Sequence, residues 1–333
     1  MNESKRYGVA VVGCGLMGTR WAEEVNKNPR LQLRLMMDAQ LIKAQESAAK
    51  CKTNATDSFE DVLNHREVDI VVVAVRADRH HQISMALLKA GKHVMCEKPY
   101  SMKLDEIDQA IALCRDGKHK LRVGFMMRFL PGLTDLVNMI HNGELGRPLY
   151  FRHFLHQGGP DNWGYFESLI AAAGSPAADC GIHYMDIFQW LTGERINQVY
   201  SAGVRTESPD SGGPNLCQVT FKTPGGSVGW VEDCWTTVSN AKKQTEIIGP
   251  KASAEFHWEP DAITVALKRR GQSTPEILTW PPSSKPLGPE MQHFIDEIDH
   301  DRSVVPHLQD VRNATAAALA ANESMRTGKV IHL

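Results

Sequence analysis

Apolar and polar positions along this chain follow two different rhythms. In the first third, short apolar runs at Tyr7–Val12, Leu31–Met37 and Ile70–Val75 read as strands, and the stretches Thr19–Lys27 and Leu41–Lys50 between them read as helices. No polar residue interrupts Ile70 to Val75, as expected of a strand covered by helices on both faces. A helix over His81–Ala90 with a stop at Gly91, a strand over Lys92–Cys96, a helix over Leu104–Cys114 and a strand over Arg122–Met126 continue the alternation. The pattern predicts α/β architecture, a doubly wound parallel sheet filling residues 1–125.

From Arg147 onward the strands lengthen and alternate. Pro148–Gln157, Ile196–Glu207, Leu216–Lys222, Ser227–Thr236, Gln244–Ile248 and Ala262–Arg269 read as strands, with a hairpin turn at Thr223-Pro224-Gly225-Gly226. Residues 126–305 are therefore expected to form an α+β domain: a large, open, mostly antiparallel sheet with a helix or two on one face. The other face is expected to carry Val228, Trp230 and Val231, and apolar residues there predict contact with a second copy, giving a homodimer or homotetramer. The alanine-rich stretch 313–321 reads as helix, and 306–333 is expected to pack back on the first domain.

The first strand ends in Gly13-Cys14-Gly15-Leu16-Met17-Gly18, and the second ends at Asp38, twenty residues past Gly18. A strand that feeds a helix through such a turn leaves helix N-terminal N–H groups facing outward, and glycines keep side chains away from an approaching pyrophosphate. An acid at the end of the next strand accepts hydrogen bonds from the adenosine ribose hydroxyls and repels a 2′-phosphate. Neither Arg nor Lys follows immediately in Asp38-Ala39-Gln40, so the expected cofactor is NAD rather than NADP.

Composition narrows the partners. The 333 residues are 42% hydrophobic and 23% charged, with a formal net charge of -2, which fits a globular chain without a basic field for nucleic acid or an anionic membrane. The start at Met1-Asn2-Glu3-Ser4-Lys5-Arg6 lacks a signal-like apolar segment, and a cytoplasmic location is expected. Seven dispersed cysteines without a CxxC pair read as reduced and mostly buried thiols, Cys180 among them, and no metal site is expected.

Two further places can carry chemistry. Glu97-Lys98-Pro99 follows a parallel strand at its carboxyl end, where open α/β sheets place ligands, and a cis Pro99 would aim Lys98 inward. In Asp179 to Leu191, apolar residues recur at helical spacing, which puts Asp179 and His183 one turn apart on one helix face. A histidine beside a carboxylate is a natural proton acceptor.

With the glycine turn, His80 ahead of Ala90-Gly91-Lys92-His93-Val94, Glu97-Lys98-Pro99, Gly124-Phe125-Met126-Met127-Arg128-Phe129, and Asp179-x-x-x-His183 with Trp190-Leu191-x-Gly193, the chain resembles the Gfo/Idh/MocA oxidoreductases over nearly its whole length. The resemblance implies a Rossmann domain followed by a substrate domain, with Lys98, Asp179 and His183 as the catalytic set. It implies cofactor contacts at Gly13, Gly15, Leu16, Met17, Gly18, Asp38, Ala74, Val75, Arg76, His80, Glu97 and Lys98. Arg128 matches an arginine that lines the substrate cleft. His156 and Trp163, with Tyr165, follow the first strand of the second domain and are expected to line the same cleft, an aromatic ring there stacking on a sugar. Val75-Arg76 departs from the Thr-Pro common in the family, and Gly174-Ser175-Pro176-Ala177-Ala178 departs from the usual glycine-rich lead to the aspartate.

The expected reaction is reversible hydride transfer between NAD and a secondary alcohol of a sugar, cyclitol or related polyol, within carbohydrate metabolism. His183 or Lys98 would accept the proton. An NAD-dependent redox glycosidase, an imine or dihydrodiol reductase, and a non-catalytic dinucleotide or sugar sensor share parts of the pattern. A sensor has no need of Lys98, Asp179 and His183 together.

Overall fold

The computed structural model describes residues 5–157, 169–206, 213–236 and 240–333. The chain divides into two compact units, Met1–Gly124 with Leu287–Arg312, and Phe125–Pro286 with Asn313–Leu333.

The first unit holds a six-stranded parallel sheet built from β1 (Tyr7–Val12), β2 (Leu31–Met37), β3 (Asn54–Thr56), β4 (Ile70–Val73), β5 (His93–Cys96) and β6 (Leu121–Val123) in the order β3-β2-β1-β4-β5-β6. Every residue of β1 and β4 is buried, the signature of strands covered on both faces. The helices are α1 (Leu16–Lys27), α2 (Leu41–Cys51), α3 (Phe59–Asn64), α4 (Ala77–Lys89) and α5 (Leu104–Cys114). Chain order reverses between β1 and β4, which pair in register Val9↔Ile70 to Val12↔Val73. Ligands of such sheets bind outside the carboxyl ends of the strands at this switch point.

The second unit begins with a 3-10 turn, Met126–Phe129, and α6 (Leu133–His141). It continues through β7 (Tyr150–His156), α7 (Pro176–Asp179), α8 (Gly181–Thr192), β8 (Gln198–Val204), β9 (Leu216–Lys222), β10 (Val228–Cys234), β11 (Lys242–Ile248), β12 (Ala252–Trp258), β13 (Ile263–Arg269) and β14 (Glu276–Trp280). Helices α9 (Leu287–Asp299) and α10 (Val305–Thr327) and the short β15 (Ile331–His332) follow. The nine strands run β14-β13-β12-β11-β7-β10-β9-β8-β15, and only β7 and β10 pair in parallel. The expected Thr223–Gly226 hairpin joins β9 to β10, closed by Thr223 N–H to the Ser227 carbonyl at 3.0 Å with Gly226 at φ +86.

Two expectations are corrected. The sequence placed 126–305 wholly in the second domain, whereas Leu287–Arg312 groups with the first. The ties are long-range: Tyr7 Oη donates to Asp299 at 2.8 Å, Arg122 Nη1 to Glu297 at 2.9 Å, and Arg312 Nε to Asp108 at 2.7 Å. Helix α10 consequently serves both units, its residues to Arg312 in the first and those from Asn313 in the second. The other correction concerns Val231, which is fully buried on the helix side of its sheet, while Val228 and Trp230 alternate onto the open face. That face also carries the exposed Tyr150, Tyr200, Val204 and Ile248.

All seven cysteines are free thiols, and six are buried. Among the described residues no helix is long and apolar enough to cross a membrane, and no cluster of His, Cys, Asp and Glu is arranged to hold a metal ion.

Candidate active site

The nucleotide crevice is assembled where β1, β2, β4 and β5 end. Gly13 has φ +99, and a Cβ added there would lie 2.5 Å from the Ala74 carbonyl oxygen. A Cβ on Gly18 would lie 1.7 Å from the Gly13 carbonyl oxygen, so this glycine sets how closely α1 approaches the strand. Gly15 is different, because a Cβ there would meet nothing within 4 Å. It precedes Leu16, the first residue of α1, and its own side caps no helical N–H. Open space in front of a helix N-terminus is what a pyrophosphate needs.

Asp38 sits beside that space. Its Oδ2 accepts from Cys14 N–H and its Oδ1 from Gln40 N–H, both at 2.9 Å. The carboxylate is thus held at the mouth of the turn, half-exposed, where it can also receive ribose hydroxyls. The residues present fit a dinucleotide without a 2′-phosphate. Burial pushes the Cys14 thiol up to about 12, with the Asp38 charge adding to the effect, so this cysteine of the turn stays protonated.

The other expected cofactor residues take distinct places. Ala74 lies over Gly13, and half-exposed Val75 follows it. Arg76 is a solvent-exposed residue paired with Asp78 at 3.2 Å. Leu16 is 62% exposed, an apolar side chain standing free at the crevice mouth, and Met17 is half-buried beside it. Glu97 accepts from Trp21 Nε1 at 2.7 Å, which ties the end of β5 to α1. Lys98 follows, half-buried, and the Lys98–Pro99 peptide is cis as expected. His80 is 1% exposed, so it stands behind the crevice wall rather than in it.

In the second unit the expected single helix over Asp179 and His183 is two helices meeting at Cys180. Helix α7 starts with the Ser175 hydroxyl accepting from Ala178 N–H at 3.3 Å and with Pro176 in its first turn. Ser175 Oγ also bonds Asn322 Oδ1 at 2.6 Å, and Asn322 Nδ2 bonds the Ala173 carbonyl at 2.8 Å, anchoring the start of α7 to α10. Asp179 ends α7, and His183 lies in the first turn of α8; both are buried, at 5% and 9% exposure. Gly181 begins α8 because a Cβ there would lie 2.7 Å from Asp233 Oδ2, a buried carboxylate of β10. A negative group at a helix N-terminus is favourable.

Phe125 presents its edge to His183, with ring centroids 5.6 Å apart and planes at 89°. Three residues on, Arg128 grips Asp186 of α8 through two hydrogen bonds, at 2.8 and 2.6 Å, and lies over Trp190 at 5.5 Å. Arg128 was expected to line the substrate cleft; the structure shows that its guanidinium holds the helix that carries His183.

His156 takes a place on the sheet. On β7, Phe151 and His153 face the helices, with Phe151 against Phe188 and the His153 ring stacked on Tyr184. Strand alternation sends His156 to the opposite, open face, where it pairs with Glu232 at 2.6 Å. The next residue, Gln157, reaches the site instead, its Nε2 at 3.1 Å from Cys180 Sγ. Trp163 and Tyr165 lie outside the described residues.

Phe125, Gln157, Asp186, Asp233 and Asn322 were missed by sequence reasoning. Phe125 stood there only as part of the motif around Arg128, and Asp186 only as a second acid one turn beyond His183.

A parallel sheet with a glycine turn, an acid after its second strand, and a lysine at a strand end defines a dinucleotide-dependent oxidoreductase. The family described as oxidoreductase family, NAD-binding Rossmann fold, matches residues 7–125, and the GFO/IDH/MocA C-terminal domain matches residues 134–255. An inositol 2-dehydrogenase of Rhodococcus erythropolis is 30% identical over 262 residues, covering 76% of this chain and 72% of that one. The scyllo-inositol 2-dehydrogenase (NAD(+)) of Bacillus subtilis is 26% identical, covering 97% of this chain and 95% of that one. The crystal structure of myo-inositol 2-dehydrogenase from Lactobacillus plantarum superposes with a TM-score of 0.85 at 19% identity, covering 99% of this chain and all of that one, which shows the shared fold. The chain belongs to the Gfo/Idh/MocA family of oxidoreductases, and its first unit is an NAD-binding domain.

Proposed function

We propose that this protein is an NAD-dependent dehydrogenase that oxidises a secondary alcohol of a cyclitol or related polyol, reversibly, with Lys98, Asp179 and His183 as its catalytic set. The observation that carries the reading is the crevice itself: open space before α1 at Gly15, the Asp38 carboxylate fixed at its edge, and Lys98 at the end of β5. The relatives named as inositol dehydrogenases supply the substrate class, one of them along almost the whole chain.

Bound NAD supplies the hydride acceptor. The protein's part is to take the hydroxyl proton and to steady the oxygen as the carbonyl forms. His183 is the group for the first task, with Asp179 one turn before it to stabilise the imidazolium. The Lys98 ammonium hydrogen-bonds the same oxygen and offsets its developing negative charge. Arg128 acts through Asp186 on α8, and neither is assigned a contact with substrate.

We also propose that the open face of the nine-stranded sheet is the contact between copies. Tyr150, Tyr200, Val204 and Ile248 stand there 40 to 50% exposed, with half-buried Val228 and Trp230 between them.

Replacing Lys98 by Met or His183 by Asn tests the catalytic assignment. Turnover with a cyclitol should fall by at least about a hundredfold, the scale of a lost acid or base, while NAD affinity falls far less. Equal loss of NAD binding would refute it.

A further inference from the structure

We propose that His80 is a positioning residue for Lys98: its solvent-shielded imidazole lies between the carbonyls of Val75 and Pro99, donates to the Pro99 carbonyl, and so fixes the chain segment that presents the lysine. The proposal deepens the assignment of Lys98 made above and rests on it.

His80 lies one turn into α4, and both of its ring nitrogens meet main-chain oxygens. Nδ1 is 2.8 Å from the Pro99 carbonyl and Nε2 is 3.0 Å from the Val75 carbonyl. These oxygens belong to the two walls of the crevice: Val75 follows β4, and Pro99 follows β5 directly after Lys98. One side chain therefore stands between the ends of two adjacent strands at the switch point, able to donate to one carbonyl when neutral and to both when protonated. Its neighbour repeats the link, since His81 Nδ1 lies 3.1 Å from Tyr100 Oη and the two rings meet edge to face. Pro99, Tyr100 and Ser101 are all buried, so α4 holds the chain beyond Lys98 at consecutive residues.

Both carbonyls are acceptors, so each contact requires a ring N–H. A neutral imidazole has one, and an imidazolium has two. Burial pushes the His80 pKa down, against the opposing pull of the two carbonyls and of Glu97, while Lys98 reinforces the burial effect. A neutral ring protonated on Nδ1, toward the shorter contact, keeps the Pro99 bridge, and this is the tautomer the proposal requires. That bridge is the one adjoining Lys98.

Asparagine and glutamine separate the two contacts, because an Asn amide nitrogen falls near the place of Nδ1 and a Gln amide nitrogen near that of Nε2. The test is competitive acetylation of the full chain with acetic anhydride, without substrate. Lys98 is compared by mass spectrometry with the exposed Lys89 of α4 as internal standard. His80→Asn should leave the Lys98 to Lys89 ratio within about twofold of wild type, and His80→Gln should change it by at least about fivefold, the scale of one lost hydrogen bond. An unchanged ratio in His80→Gln, or equal changes in both variants, would overturn the proposal, because a role in fold stability alone does not distinguish the two carbonyls. On the unmodified protein, nitrogen-15 spectra of the histidine rings should show a slowly exchanging Nδ1 proton on His80. Its absence overturns the proposal even where a variant fails to fold. If the asymmetric labelling is found and Lys98→Met retains full activity, the bridge stands and the catalytic reading of Lys98 falls.

Discussion

Arg128 and Asp186 form a two-pronged ion pair, Nε to Oδ2 at 2.8 Å and Nη2 to Oδ1 at 2.6 Å, with the carboxylate 1% exposed at its side chain. Phe125, three residues before Arg128, touches His183, three residues before Asp186. The 3-10 turn that opens the second unit thus holds α8 at two successive points, one of them the proposed base. Breaking one half of a buried pair leaves an uncompensated charge, so Arg128→Met should lower unfolding free energy by about 3 kcal/mol. The double variant with Asp186→Leu should recover much of that loss. Chemical denaturation of the three variants measures this, and additive losses would contradict it.

The glycines of the nucleotide turn should separate folding from binding. Gly18→Ala forces a Cβ into the Gly13 carbonyl and should destabilise the first unit severely. Gly15→Ala meets nothing and should melt near the wild-type temperature, yet it narrows the space for pyrophosphate and should weaken NAD binding by about tenfold or more. Calorimetric melting with NAD titration distinguishes the two, and a Gly15→Ala protein that binds NAD normally would contradict the placement.

Cofactor preference should rest on Asp38. Asp38→Ala removes the repulsion toward a 2′-phosphate and also two hydrogen bonds that hold Cys14 and Gln40. NAD affinity should fall by about tenfold and the NAD to NADP affinity ratio should shrink, as read by fluorescence titration with each cofactor. A ratio that stays constant would remove Asp38 from the specificity account.

Acid stability should carry the mark of His93. Burial, with His119 and Lys120 adding to it, lowers this histidine from 6.5 to about 4, and its Nδ1 accepts the Lys120 N–H at 3.2 Å, which requires the neutral ring. The folded state therefore binds fewer protons than the unfolded state between these values. Its contribution is complete above pH 6.5 and is lost as pH falls toward about 4, at most about 3 kcal/mol. His93→Gln should flatten the stability profile across that window. A slope unchanged by the substitution would place the acid sensitivity elsewhere.

The sheet face proposed for assembly can be tested by charge. Tyr200→Glu combined with Ile248→Glu should leave a folded protein of smaller mass by light scattering. An unchanged mass would exclude this face.

What the sequence made legible follows from burial. Strands β1 and β2 and helix α5 keep the bounds expected for them, because their burial leaves a periodic record in one short window. Strands β3, β14 and β15 left none: Asn54–Thr56 is polar, Glu276–Trp280 is a partly exposed edge, and two residues at 331–332 carry no period. The β6 strand ends at Val123 instead of running to Met126, because the chain turns into the 3-10 turn that carries Arg128. The face that His156 takes follows from a single step of alternation, which moves a side chain from one face of a sheet to the other, and the sequence read no register for β7. The pairing of Arg128 with Asp186 was not legible, because its partner lies fifty-eight residues away and pairings at that separation leave no local pattern.

The most direct measurement is NADH formation, followed by its near-ultraviolet absorbance, with the purified protein, NAD and a panel of inositols, hexoses, pentoses and simple glycosides. NADP is run in parallel. Steady NADH production with one or a few cyclitols or related polyols, and far less with NADP, is the predicted result. NAD binding without any NADH across the panel, or cleavage of a glycoside with no net NADH, would contradict the dehydrogenase reading.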